Sequence, residues 1–191
     1  MYAKEMVKQS LPLILMCGLG AIVAGSTLNL MNSSNPDSNL FLKIPGLIVV
    51  IPAIIAMRGN ISTALGSRLG SAYHLGVIDK DNLWNNDLKQ NVLGSLVLSL
   101  TMSFLIGILA YVTSFVMGAN PNALVLILIV LLAGLLSAFI LTLMTIIIIF
   151  FVFKRGWDPD NITGPALATF GDIITIACIF GSAILIGGAM L

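Results

Sequence analysis

The sequence predicts an all-α, polytopic integral membrane protein with five transmembrane helices, and three observations carry that prediction. Of the 191 residues 58% are hydrophobic and only 9% are charged, against about a quarter charged in an ordinary soluble domain. The mean hydropathy is +1.07. The apolar residues fall in runs long enough to cross a hydrocarbon core, which takes about 20 helical residues for roughly 30 Å. No run alternates polar and apolar residues as a transmembrane β-strand does, which argues against a barrel. Crossings on this scale use nearly the whole chain, so residues 1–191 read as one membrane domain with no separate soluble regulatory domain.

The first span covers about residues 11–31. Lys4 and Lys8 precede it as they would precede a signal peptide, but the apolar run is too long and no small-residue cleavage site is evident. Asn, Ser and Pro over residues 32–39 end it. The second span, 44–78, is the odd one: the 35 residues from Lys43 to Val77 are too many for one straight crossing, and Pro45, Pro52 and Gly59 interrupt them. A broken or strongly kinked helix is expected, tolerated where freed backbone groups face protein or water. The third span is 92–117 and the fourth 123–153, joined by the turn Gly118-Ala119-Asn120-Pro121-Asn122. The fifth is 165–191. Cys17 and Cys178 lie inside apolar runs with no metal or disulfide spacing and read as small core residues.

Orientation follows from Lys and Arg in the connections. The N-terminus and the loops 79–91 and 154–163 hold Lys4, Lys8, Lys80, Lys89, Lys154 and Arg155, while the opposite loops hold only Lys43. That asymmetry predicts a cell-membrane protein with a cytoplasmic N-terminus and an external C-terminus, with Trp84 and Trp157 at the inner interface.

Information concentrates in the polar residues inside the spans. Asp172 sits about 10 Å into the fifth span. A carboxylate there costs about 2.5–3.5 kcal/mol on insertion scales, so it normally meets a partner, a cavity or an ion path; protonation, or pairing with Arg58 or Arg68, is the bland alternative. Its helical face carries Pro165, Ala168, Thr169 and Thr175, small or hydroxyl-bearing residues that suit a wet path or a tight seam. In the second span Asn60, Thr63, Ala64, Ser67, Ser71 and His74 form one mostly polar stripe. Beside it runs a small-residue face of Gly59, Ser62, Gly66 and Gly70, a candidate for close helix contact and for the face that a second copy buries. His74 is assigned no role. Counted from opposite ends, Asn60 and Asp172 fall in the same half of the membrane, so the two stripes can face one cavity. One carboxylate among amide, hydroxyl and backbone oxygens is a hard-ligand set. It suits Mg²⁺, which keeps several waters and needs only one or two carboxylates, but by itself leaves Ca²⁺, Mn²⁺, Na⁺ and H⁺ open.

Trp157-Asp158-Pro159-Asp160-Asn161-Ile162, then Pro165 and Gly171-Asp172 with Ile174-Thr175, resemble the last-helix motif of the MgtE family and, more closely, of the eukaryotic solute-carrier family 41 magnesium transporters. Pro52-Ala53, Met57-Arg58-Gly59-Asn60 and Ser67-Arg68-Leu69 are similar to their second-helix motif. The resemblance implies a homodimer in lipid with a pore between the second and fifth helices of both chains. It implies that Asp172 binds a largely hydrated Mg²⁺ with the Ala168 backbone carbonyl, that Asn60 lines the pore and that Asp158 lies near its cytoplasmic mouth. Thr63, Ser67, Asn161, Thr169 and Thr175 complete the expected lining, and Gly59, Gly66 and Gly70 the packing face. Mg²⁺ is then the transported ion; no cofactor, no catalysis and no nucleic-acid partner are expected. No cytoplasmic regulatory domain of the MgtE kind is expected beside these spans, which leaves gating open.

Three alternatives stand beside this. A proton-coupled Mg²⁺ exporter uses the same residues. A non-catalytic subunit of a larger complex would keep Asp172 for assembly. An intramembrane aspartyl protease would explain Gly171-Asp172 but needs a second carboxylate sharing the proton, and the spans hold none.

Overall fold

Asparagine side chains set where several elements begin. A helix start leaves backbone N–H groups without partners, and a side-chain oxygen at the cap accepts from them. Asn35 accepts from the Asp37 amide at 3.0 Å and opens a 3₁₀ turn, Pro36–Ser38. Asn39 accepts from Phe41 and Leu42, at 3.0 and 3.2 Å, and caps one further helical turn, Leu40–Lys43. Its amide also donates to the Asn32 side chain and the Ser33 carbonyl, closing the loop on itself. Asn85 and Asn122 cap two of the long helices through the amides of Leu88 and of Leu124 and Val125.

The computed structural model describes residues 2–78, 84–155 and 159–190. Five long helices result: α1 (Tyr2–Met31), α2 (Leu47–His74), α3 (Asn86–Val116), α4 (Ala123–Lys154) and α5 (Pro159–Met190). All five are long and apolar enough to cross a membrane, and no strand occurs among the described residues. The all-α class and the five spans agree with the sequence. Of the interruptions expected in the second span, the one at Pro45 occurs, where Gly46 takes a left-handed φ of +93°; helix then runs unbroken from Leu47 through Pro52 and Gly59. A 28-residue helix is about 42 Å long, more than a hydrocarbon core needs. Its Tyr73 ring stacks on Phe153 of α4 at 3.8 Å, with His74 edge-on to the same ring. α3 and α5 begin earlier than read from hydropathy, with polar first turns.

α4 packs against α2, α3 and α5; α2 also meets α3 and α5, while α1 rests chiefly on α5. Lipid tails are as apolar as leucine, so helices associate in a membrane by close fit rather than by hiding apolar surface. Small residues supply that fit. A Cβ on Gly107 of α3 would stand 3.1 Å from the Ile127 Cα of α4, and one on Gly134 of α4 would collide with the Ser103 side chain of α3. Large apolar side chains such as Leu19, Ile22, Leu109, Phe139, Ile147 and Leu185 point outward, as a lipid-facing surface requires.

The interior is two apolar clusters. One joins Val50, Ile54 and Met57 of α2 to Ile106 of α3, Leu126, Ile129 and Ala133 of α4, and Ile179 of α5. The other joins Leu65 and Leu69 of α2 to Leu88 of α3 and Ile149 and Phe153 of α4. Between them along the helices lies a buried polar layer: Arg58 and Ser62 of α2, Ser99 and Ser103 of α3, Ser137 of α4 and Thr175 of α5.

Candidate functional site

α2 buries Ile54, Arg58, Leu65 and Leu69 on one side, at helical spacing, and this leaves the opposite side uncovered. On that open side stand Asn60, Thr63, Ala64, Ser67 and Ser71, all exposed in the protomer. Such a stripe on a membrane-spanning helix calls for water or another protein surface, because acyl chains offer its polar groups nothing. The Thr63 hydroxyl turns back and donates to the Gly59 carbonyl at 2.8 Å.

Asp172 of α5 is half-buried. Among the described residues no hydrogen bond or ion pair engages its carboxylate. Pairing with arginine does not occur: Arg58 is 2% exposed and donates from Nη1 to Ser99 Oγ at 2.8 Å, and Arg68 is exposed on α2. The register of α2 against α5 gives the height of the carboxylate. A Cβ on Gly66 would meet Thr163 at 3.1 Å and Leu167 at 3.5 Å, while Ile54 and Met57 pack in one cluster with Ile179 and Ala183. The two helices therefore run antiparallel, with Asp172 at the level of Asn60 and Thr63. Ala168 is exposed one turn away.

Other residues singled out from the sequence lie elsewhere. Thr169 faces α1: its hydroxyl donates to the Pro165 carbonyl at 2.8 Å, and the Cys17 thiol donates to the same carbonyl at 3.2 Å. A Cβ on Gly20 of α1 would run into the Thr169 methyl, so this glycine lets α1 seat there. Thr175 is fully buried in the protomer. Gly66 and Gly70 are buried too, and Gly66 spends its missing side chain on α5 of the same chain, so this part of the small-residue face is not free for a second copy; Gly59 is only partly covered. Asp158 and the Asn161 side chain lie outside the described residues.

Among the described residues no three His, Cys, Asp or Glu side chains converge as a metal cluster. One carboxylate with hydroxyl, amide and carbonyl oxygens can hold a hard cation only through retained water. The residues that sequence reasoning did not connect are Arg58 and the serines Ser95, Ser99 and Ser103, which recur every fourth position on α3 and are all buried. That spacing is a readable packing signal, but nothing in it names the guanidinium across from it.

The family model MgtE, described as a divalent cation transporter, matches residues 51–182. Solute carrier family 41 member 2 of Homo sapiens is 29% identical over 180 residues, covering 90% of this chain and 30% of the relative. Solute carrier family 41 member 3 of Rattus norvegicus is 28% identical over 171 residues, 86% of this chain and 35% of the relative. The chain thus spans about a third of the length of these curated relatives. No solved structure matches it.

Proposed function

Because the chain belongs to the MgtE family of divalent cation transporters, we propose that it passes hydrated Mg²⁺ across a membrane between α2 and α5 of two copies of itself. The observation that carries this reading is an intramembrane carboxylate, Asp172, unpaired among the described residues and level with a polar stripe of α2 left open in the protomer. Two such stripes facing each other keep Asn60, Thr63 and Ser67 out of lipid and bring two carboxylates toward one ion. Each copy contributes one charge, which suits a divalent cation that gives up its water reluctantly. The Ala168 carbonyl serves as a further oxygen ligand, and Asp158 with Asn161 forms the mouth. The six-to-one Lys and Arg asymmetry supports a cytoplasmic mouth.

The test is uptake into liposomes reconstituted at equal protein density, with an enclosed Mg²⁺ dye and no imposed proton gradient. Asp172→Asn keeps the shape and removes the charge. Flux should fall at least tenfold, since losing both of the ion's charged ligands, one from each copy, forfeits more than the ~1.4 kcal/mol that a factor of ten represents. Folding should be retained, because the insertion cost of the charge disappears. Parental flux from Asp172→Asn would remove the ligand role and favour an assembly role for this residue. Flux that appears only with a proton gradient would assign the same path to a coupled exporter.

A further inference from the structure

We infer that the buried Arg58 guanidinium holds a small monovalent inorganic anion, chloride in ordinary solutions, in the polar layer at the centre of the bundle. This site is on the interior side of α2, away from the open stripe, and the inference stands whether or not a cation passes along that stripe.

An arginine does not shed its proton inside a protein, so its charge must be balanced where it lies. Only Nη1 is engaged, by Ser99 Oγ. Among the described residues Nε and Nη2 are buried without a partner. They form one edge of the planar group, where two N–H bonds point the same way and suit a single acceptor. Nη2 lies 3.8 Å from where a Cβ of Gly134 would stand, so a glycine faces that corner. No acid is at hand among the described residues. Asp37 and Asp87 are exposed in or next to the loops, and Asp172 makes no ion pair with Arg58.

A second observation points the same way. Thr175 Oγ1 and Ser182 Oγ of α5 are also buried without partners. Thr175 belongs to the same buried polar layer as Arg58, and Ser182 lies two turns further along the same face of the helix. The other unpartnered hydroxyls are not part of this group: Ser114 sits beside Gly46 and Thr163 beside Gly66. The centre of the bundle therefore has a formal positive charge, with two N–H donors of the guanidinium that lack an acceptor and hydroxyls that can donate nearby. Water can accept from these donors but brings no charge to balance the guanidinium. A halide brings acceptor capacity alone, and a negative charge with it. The packed walls, with Ser103 against Gly134, favour an anion of one atom over an organic one.

The experiment is a thermal unfolding series on the purified full chain in detergent, in sodium chloride, bromide or gluconate at constant ionic strength. A ligand bound only to the folded state raises the midpoint with its concentration. At a hundredfold excess over Kd the rise in chloride and bromide should be about 5 °C or more relative to gluconate. Arg58→Met should abolish the difference between salts, and Thr175→Val should raise the half-saturating chloride concentration about tenfold, the effect of one lost hydrogen bond to a charge. Equal midpoints of the parent in all three salts overturn the proposal, and so does a chloride effect that persists in Arg58→Met. If Arg58→Met does not fold, Thr175→Val decides: an unchanged half-saturation overturns the site.

Discussion

Gly134 shows how much of this bundle depends on what a residue lacks. A methyl group there would strike Cβ and Oγ of Ser103, atoms held by the α3 backbone rather than at the end of a flexible chain. Gly134→Ala should therefore destabilise the protein by about 1–3 kcal/mol, read as a lower midpoint in thermal unfolding. Gly18→Ala and Gly25→Ala are the controls: nothing lies within 4 Å of either would-be Cβ, so the better helix propensity of alanine, worth up to ~1 kcal/mol, should leave the midpoint level or higher. At this scale the sequence was legible where a residue conflicts with lipid. Asp172 stands out in any reading of the fifth span. Arg58 stands out equally, but the spans hold one acid and two arginines, Arg58 and Arg68, which suggests that one of them pairs with Asp172. The buried side of α2 settles the matter, since Arg58 follows Ile54 by four residues and precedes Leu65 by seven. That periodicity was present in the sequence and points the guanidinium inward, toward Ser99.

Both faces of α2 were readable as helical stripes; which neighbour each one meets was not. A small-residue stripe and a polar stripe are each compatible with a second copy, with another helix of the same chain or with a wet path, and only the packing decides. In the structure the Gly66 position is taken by Thr163 and Leu167 of α5. Gly66→Leu should push α2 off α5 within one protomer and lower the yield of folded protein. Ser67→Leu, on the exposed side, should leave the protomer folded and instead reduce Mg²⁺ flux or the fraction of dimer on size-exclusion chromatography. Equal behaviour of the two variants would contradict the division of α2 into an inner and an open face. Of the three interruptions expected at Pro45, Pro52 and Gly59, only the first breaks the helix, for a physical reason. Proline in a helix removes one hydrogen bond and crowds one turn, whereas Pro45 followed by a left-handed Gly46 ends helical geometry outright.

The whole-molecule features follow most directly from the sequence, because hydropathy over 20 residues averages out local ambiguity. Five spans read as five helices, and the misses are confined to ends, where the polar first turns of α3 and α5 carry no hydropathy signal. Direction across the membrane rests on the basic residues alone and is open to a direct check. With Cys17 and Cys178 replaced, a cysteine at Asp37 should react with an impermeant thiol reagent added outside intact cells, and one at Asp87 should not. The reverse pattern would invert the proposed orientation. The contacts of α1 add one further property. Cys17 and Gly20 meet α5 at residues 165–173, and Leu30 lies by Phe180 and Ile184, so α1 and α5 run parallel. An odd number of crossings then separates the start of α1 from the end of α5. A gene duplication that joined two copies through a short linker would insert the second one upside down. Tandem copies that keep the same way up, and so can still face each other as in the proposed pair of chains, need a joining segment that itself crosses the bilayer.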